Sequence, residues 1–179
     1  LTNVVTKNNG GGVIKSAEYT YDAFDKRISK KVDADGDGAG SANVERFVYD
    51  GDNLALVFDG NGNQKERFLH GTGVDSVIAQ ENADGQVLWA LSDNQGSVRD
   101  VVDNNGVVLN HLVYDSFGKV IGETNPLVDF RFGYTGRELD AETGLNYNRA
   151  RYYDPNVGRF VNQDPSGFSA GDANLYRYV

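Results

Sequence analysis

The strongest structural signal in the chain lies at residues 112–120, which read LVYDSFGKV. An apolar strand end leads into a Tyr-Asp pair, a short turn that contains glycine, and a second apolar residue. Related stretches begin at Tyr19 (YTYDAFDKRI), Phe47 (FVYDGDNL) and Leu91 (LSDNQGSVR). This recurrence predicts a repeat protein with one β-hairpin in each unit.

The anchoring Asp of each stretch falls at positions 22, 50, 93 and 115. A unit of about 22 residues fits these positions if residues 68–71 hold a degenerate anchor in the long gap. The first gap then carries an insertion, which we assign to Asp33–Gly38.

Short runs rich in Val, Ile, Phe and Tyr alternate with clusters of Asp, Asn and Gly, as in successive antiparallel hairpins. No window longer than ten residues keeps a helical apolar period. The sequence therefore predicts an all-β fold of stacked hairpins over residues 1–125. The predicted strands are Val13–Tyr21, Arg46–Tyr49, Leu54–Phe58, Ser76–Ala79, Gln86–Leu91, Ser97–Val102, Val107–Tyr114 and Lys119–Gly122.

The Tyr-Asp pairs have a structural explanation. A lone hairpin is marginally stable, so each unit has to pack on its neighbours. We expect the Tyr ring to cover the next hairpin and the Asp carboxylate to accept bonds from turn amides two residues on. This makes the pair a scaffold feature rather than a catalytic one.

The composition excludes several function classes. The formal charge of −9 argues against a nucleic-acid binder and against docking on an anionic membrane. The absence of Cys excludes disulfides, thiolate chemistry and Cys-based zinc sites. No apolar run approaches the length of a membrane span. A chain that begins with Leu1 and contains no Met is expected to be a piece of a longer protein.

Asp33, Asp35 and Asp37, followed by Gly38, form the start of a calcium-loop pattern. The EF-hand needs a bidentate Glu at loop position 12, which here is Val44. We therefore keep two alternatives, a Ca²⁺ site and an acidic hairpin insertion, and predict no other cofactor.

The isolated His70 and His111 and the single Trp89 carry no catalytic signature in the sequence. We predict structural roles for both histidines, and for Trp89 a packing role within or between repeats.

The segment from residue 130 onward contains an ordered series of motifs. It reads FGYTGRELD (132–140), ETGLNY (142–147), RARYYDP (149–155), GRF (158–160), DPSGF (164–168) and NLY (174–176). This series resembles the Rhs-associated core, and the upstream repeats resemble the YD repeats of Rhs proteins, of the C component of Tc insecticidal toxins and of wall-associated toxins.

The resemblance implies that residues 1–125 form part of a spiral β-shell and that residues 126–179 form an irregular plug that closes it. The implied partners are the remainder of the parent shell and a C-terminal toxin polypeptide enclosed as cargo. The implied location is secreted or cell-surface. Nucleic-acid binding and membrane insertion are not expected.

The resemblance also implies a self-cleavage step of the aspartyl-protease type. Matched by motif, Arg151 and Asp164 take the positions of the site Arg and the upstream Asp, and the partner Asp lies beyond residue 179. Two close carboxylates push their pKa values apart, so that one acts as base and the other as acid. We expect no cleavage by this fragment alone. The alternative for Arg151 and Asp164 is a structural ion pair.

A third hypothesis is an adhesion or carbohydrate-binding surface, as in animal YD-repeat receptors. The acidic charge and the lack of an aromatic cluster rank it lowest.

Overall fold

The computed structural model describes residues 1–38 and 42–178. Its main element is an eleven-stranded antiparallel sheet in which each strand pairs with the next along the chain. The strands are β1 (Asn3–Lys7), β2 (Val13–Tyr21), β3 (Arg27–Asp33), β4 (Asn43–Asp50), β5 (Asn53–Asp59), β6 (Gln64–His70), β7 (Val77–Asn82), β8 (Val87–Ser92), β9 (Val98–Val102), β10 (Val108–Tyr114) and β11 (Val120–Glu123).

A second antiparallel sheet of four strands follows, again in sequence order. Its strands are β12 (Glu138–Asp140), β13 (Leu145–Asn148), β14 (Arg151–Asp154) and β15 (Arg159–Phe160). Two short 3₁₀ turns, Tyr134–Gly136 and Gly167–Ala170, are the only helical elements in the described residues. None of the described helical segments has the length and apolarity needed to cross a membrane.

The predicted all-β class is confirmed, and all eight predicted strands overlap observed ones. Residues 126–179 were expected to be irregular. They are more regular than that, because β12–β15 form a sheet of their own. The division predicted between residues 125 and 126 falls in the connection between the two sheets.

Three strands of the large sheet escaped the sequence analysis: β1, β3 and β6. β3 reads RISKKVD and β6 reads QKERFLH, so charged residues outnumber apolar ones. Charged side chains argue against a buried strand when the sequence is considered alone, because burial removes the charges from water. Here ion pairs offset that cost: those of β3 reach the second sheet, and Glu66 of β6 pairs with Arg131 of the connecting segment.

One edge of the large sheet carries the repeat. Each of its five hairpins has an anchor residue at or next to the end of the incoming strand, and the anchors are Tyr21, Tyr49, His70, Ser92 and Tyr114. These positions are separated by 28, 21, 22 and 22 residues, so the degenerate anchor predicted at residues 68–71 is His70.

Each of these five hairpins contains the same β-bulge, because the register shifts by one residue just before the anchor. A bulge bends the strand and increases its twist. The repeat is therefore a bent hairpin and not only a sequence pattern. The bulged residues are Ile28, Ala55, Ile78, Arg99 and Ile121.

The anchor side chain joins neighbouring hairpins. In three repeats its polar tip bonds the backbone carbonyl of the residue that pairs with the preceding anchor, just after the preceding turn. The bonds run from Tyr49 to Arg27 (2.9 Å), from His70 to Leu54 (2.8 Å) and from Tyr114 to Val98 (3.0 Å). We expected the ring to cover the next hairpin; the bonds of its polar tip reach back instead, because the strand that carries the anchor also pairs with the last strand of the preceding hairpin.

The Asp after the anchor closes the turn. In the hairpin that opens at Asp115, one carboxylate oxygen accepts the Phe117 amide at 2.8 Å and the Lys119 amide at 3.0 Å. Gly118 takes a positive φ of 82°, and its missing Cβ leaves room for the Tyr134 ring. The same pair of side-chain bonds forms at Asn8, Asp22, Asp59, Asp93 and Asp103.

The second sheet covers one face of the large one, and the apolar core lies between them. Phe132, from the connecting segment, packs edge-on against Phe68, with ring centroids 5.1 Å apart. The other buried apolar residues of this cluster are Phe47, Leu54, Val57, Val77, Leu88, Val98 and Val101. The apolar part of the covered face therefore lies on β4–β9. The ion pairs with the second sheet also involve β3.

The turn carboxylate gives the first prediction. Asp115→Ala removes the carboxylate oxygen that accepts from two backbone amides and is expected to lower the free energy of unfolding by about 1–2 kcal/mol. Asp50 is the control, because its tight turn pairs Asp50 directly with Asn53. Asp50→Ala should change stability by less than about 0.5 kcal/mol. Urea denaturation measures both, and equal losses would contradict the assigned role.

Candidate functional site

The interface between the two sheets is built from buried charges. The large sheet contributes Arg27, Lys30, Glu45, Lys65 and Glu66, and the C-terminal segment contributes Arg131, Glu138, Asp140 and Glu142. Most of these side chains are buried. Because an unpaired buried charge is costly, the charges of each sheet fix where the other can sit.

Arg27, at the start of β3, lies at the centre of this network and is fully buried. Its guanidinium bonds Asp140 at 2.5 Å and Glu138 at 3.0 Å. Burial disfavours the charged form, but these two carboxylates outweigh it and raise the pKa of Arg27. The guanidinium also lies 4.2 Å from the centre of the Tyr147 ring and 4.9 Å from that of Phe47.

Arg131 forms the second centre. It bonds Glu66 at 2.5 Å and Glu45 at 3.1 Å, and thereby ties the connecting segment to β4 and β6. Burial favours the neutral form of Glu45, but Arg131 and Lys30 outweigh it and hold the pKa of the Glu45 carboxyl well below its usual range. Glu45 is therefore charged at neutral pH.

Lys30 links the two centres, because its ammonium lies 3.3 Å from Asp140 and 3.5 Å from Glu45. It also contacts Glu142 at 3.3 Å. Burial opposes the charge of Lys30, but Asp140 and Glu45 raise its pKa. The described charges thus form one continuous network rather than separate pairs.

Sequence reasoning missed this network, although a signal was present. β4 reads Glu45-x-Phe47-x-Tyr49, and β6 repeats it as Glu66-x-Phe68-x-His70. Alternate strand residues share a face, so each Glu points to the same side as two aromatic residues. A Glu on the apolar face of two repeats indicates a buried partner.

The loop between β6 and β7 holds the second sheet at the repeat edge. The Asp75 carboxylate bonds Arg137 and Arg149, each at 2.7 Å. Asp75, Arg149 and the nearby Thr135 all have positive φ, which side chains rarely adopt. Three residues with left-handed backbone conformations thus lie at or next to the ion pairs of Asp75.

Arg151 and Asp164, the predicted catalytic pair, lie together. Arg151 Nη1 is 3.0 Å from Asp164 Oδ2, and both side chains are about one-fifth exposed. The Ser166 amide donates to Asp164 Oδ1 at 2.8 Å. This amide and, less strongly, Arg151 lower the pKa of Asp164, so it is a carboxylate at neutral pH.

The pair faces a groove that Asp75, Arg137 and Tyr178 also line. Within the described residues, the ion pairs of Arg151 and Asp164 are with each other, and the Asp75 carboxylate is held by Arg137 and Arg149. The arrangement supplies an ionised carboxylate and a guanidinium. Among the described residues that line the groove, the one other carboxylate is Asp75, and its two arginine partners favour its ionised form over that of an acid.

The Asp33, Asp35 and Asp37 cluster lies in the β3–β4 connection, with one carboxylate oxygen of each within 4.8 Å of the others. Asp33 accepts the amides of Gly36 and Gly38, at 2.8 and 3.0 Å. The loop continues through residues 39–41, which lie outside the described part of the chain. Calcium binding here stays a prediction.

The predicted structural roles of the two histidines agree with their contacts. A carbonyl oxygen only accepts, so His70 Nε2 donates to Leu54. His111 Nδ1 lies 2.7 Å from Asp100 on the adjacent strand.

Trp89 also has the kind of contact we predicted. Its indole donates to Asn104 in the following hairpin, at 2.8 Å, and so joins neighbouring repeats.

The network yields the second prediction. Arg27→Met strands Glu138 and Asp140 without their main partner and is expected to lower the free energy of unfolding by about 3–5 kcal/mol. Arg67 is the matched control because it pairs with Glu81 on the same sheet but has a side chain 61% exposed. Arg67→Met should cost less than about 1 kcal/mol. Equal urea midpoints for the two variants would refute the central role of Arg27.

Known proteins resemble this chain in both sequence and fold. A tRNA3(Ser)-specific nuclease WapA of Bacillus spizizenii is 30% identical over 167 residues, which cover 90% of this chain and 7% of that protein. A double-stranded DNA deaminase toxin A of Burkholderia cenocepacia is 31% identical over 192 residues, which cover 94% and 13%. The chain thus spans a small part of the length of these relatives.

The fold matches the crystal structure titled TcdB2-TccC3-TEV with a TM-score of 0.70 and 20% identity, over 99% of this chain and 10% of that one. At this identity the likeness establishes the fold alone. The family model described as teneurin YD-shell matches residues 6–178. The chain therefore belongs to the teneurin YD-shell family of Rhs/YD-repeat proteins.

Proposed function

We propose that this chain is a wall-and-plug section of a β-shell that encloses a C-terminal toxin polypeptide. Membership of the YD-shell family supports a shell-forming structural module. The relatives include a nuclease and a deaminase toxin, and the chain matches only 7% and 13% of their lengths. In this proposal the cargo and the rest of the wall belong to the parent protein, which is secreted or displayed at the cell surface.

The observation that carries the proposal is the charged interface between the sheets. Arg27 of the large sheet binds Glu138 and Asp140 of the second sheet. Arg131 of the connecting segment binds Glu45 and Glu66 of the large sheet, beside the apolar cluster. A plug has to stay in one position against its wall, and apolar contacts alone tolerate sliding. Matched buried charges penalise displacement, because each shift leaves a charge without its partner.

Protection of the cargo tests this proposal. In the full-length parent, we expect Arg131→Met to loosen the plug and raise the rate of cargo proteolysis at least about tenfold. The exposed-pair variant Arg67→Met should leave the rate unchanged. Limited proteolysis followed by mass spectrometry of cargo peptides gives the measurement. Cargo that is cut equally fast in wild type and Arg131→Met would rule out a plug held by this network.

We propose, as a second function, that Arg151 and Asp164 contribute to a self-cleavage site that a downstream Asp completes. The 3.0 Å contact between them favours this candidate. The lowered pKa of Asp164 suits the ionised member of a carboxylate pair, which acts as the base, while the downstream Asp supplies the proton. Arg151 would stabilise the developing oxyanion.

A longer form of the chain that includes the downstream Asp tests the second function. Asp164→Asn is expected to slow cleavage by about 10²-fold or more, as loss of a general base does. Asp172 is the matched control, since it lies in the same tail, accepts a turn amide and pairs with Arg177. Asp172→Asn should be cleaved like wild type. Gel analysis over time gives the rates, and equal cleavage of both variants would exclude Asp164.

A further inference from the structure

We infer that Phe160 is the positioning residue of the Arg151–Asp164 pair, an inference that rests on the proposed self-cleavage. The centre of the Phe160 ring lies 3.7 Å from the guanidinium carbon of Arg151. At this distance the planar guanidinium lies against the ring face, which restricts its rotation.

The position of Phe160 follows from strand register. β14 pairs with β15 so that Tyr153 lies opposite Phe160. Arg151 is two residues before Tyr153 and shares its face, which makes it the diagonal neighbour of Phe160. Long and aromatic side chains reach this far across an antiparallel pair, so the backbone itself brings the ring to the guanidinium.

The ring is a fixed support. Phe160 is 6% exposed and packs against Tyr153 and Tyr178, with ring centroids 5.9 and 5.5 Å away. Its amide donates to the Tyr176 carbonyl at 3.0 Å, so the tail holds this strand in place.

Asp164 is fixed separately from the ring. Its amide donates to the Leu175 carbonyl at 2.9 Å, and its carboxylate accepts the Ser166 amide. These two bonds therefore hold the Asp164 carboxylate within a turn. Arg151 is the long, flexible member of the pair. Stacking on Phe160 selects the orientation in which the guanidinium meets Asp164 and leaves its other donors for the groove.

The test uses the longer, self-cleaving form of the chain. Phe160→Leu keeps an apolar side chain but removes the ring face, and cleavage is expected to slow by between about tenfold and a hundredfold. Phe160→Tyr retains the ring face and should restore the rate to within about twofold of wild type. Arg151→Lys keeps the charge but loses the planar stack, so it should slow cleavage as Phe160→Leu does. Cleavage of Phe160→Leu at the wild-type rate would overturn the inference.

A second measurement separates this inference from the self-cleavage proposal. In the uncleaved 179-residue chain, NMR should show the Arg151 side-chain protons shifted upfield by the Phe160 ring and returned toward ordinary values in Phe160→Leu. Phe160→Tyr should keep the shift. If the longer wild-type chain is not cut, self-cleavage fails as a function; if the Arg151 signals do not depend on the ring, positioning by Phe160 fails.

Discussion

Arg27 and Arg131 place two guanidinium groups between the sheets, where water cannot solvate them, and every other feature of the interface accommodates that constraint. Desolvation of these cations is acceptable only because Glu45, Glu66 and Asp140 lie within ion-pair distance. Buried ion pairs are weak evidence for net stability, since apolar residues of similar volume often pack as well. Their value here is positional: the second sheet has one placement that satisfies the charges.

The repeat has a different role, because its anchor residues join neighbouring hairpins by hydrogen bonds. The anchor bonds the carbonyl of a residue just after the preceding turn, and the Asp that follows the anchor closes the next turn. The anchor reaches that carbonyl because its own strand pairs with the outgoing strand of the preceding hairpin. His70 shows that the geometry, and not the phenol, is what the repeat requires, because an imidazole makes the same bond in the third unit.

The Arg151–Asp164 contact has a structural and a chemical aspect. Asp164 closes a turn through Ser166 and pairs with Arg151, which are ordinary roles for a surface carboxylate. Those same bonds keep it ionised and oriented toward a groove. In the proposed self-cleavage, this contact takes part in a reaction only when a downstream Asp supplies the second carboxyl, so under that proposal this segment contributes the positioning.

The sequence by itself determined the all-β class, the 22-residue unit and the turn chemistry, because these depend on local features. Glycine and Asp at fixed offsets specify a tight turn, and an apolar run between turns specifies a strand. Spacing alone also predicted a degenerate anchor within residues 68–71, and the structure identifies it as His70.

Only the tertiary structure decided that the charged strands β3 and β6 belong to the sheet and that their charges are buried. A charged residue is predicted to be solvent-exposed unless its partner is known. The partners of Arg27 lie more than 110 residues away in sequence. Long-range pairing leaves little local signal, so the position of the second sheet, the ion pairs of Asp75 and the stack on Phe160 emerged only from the folded chain.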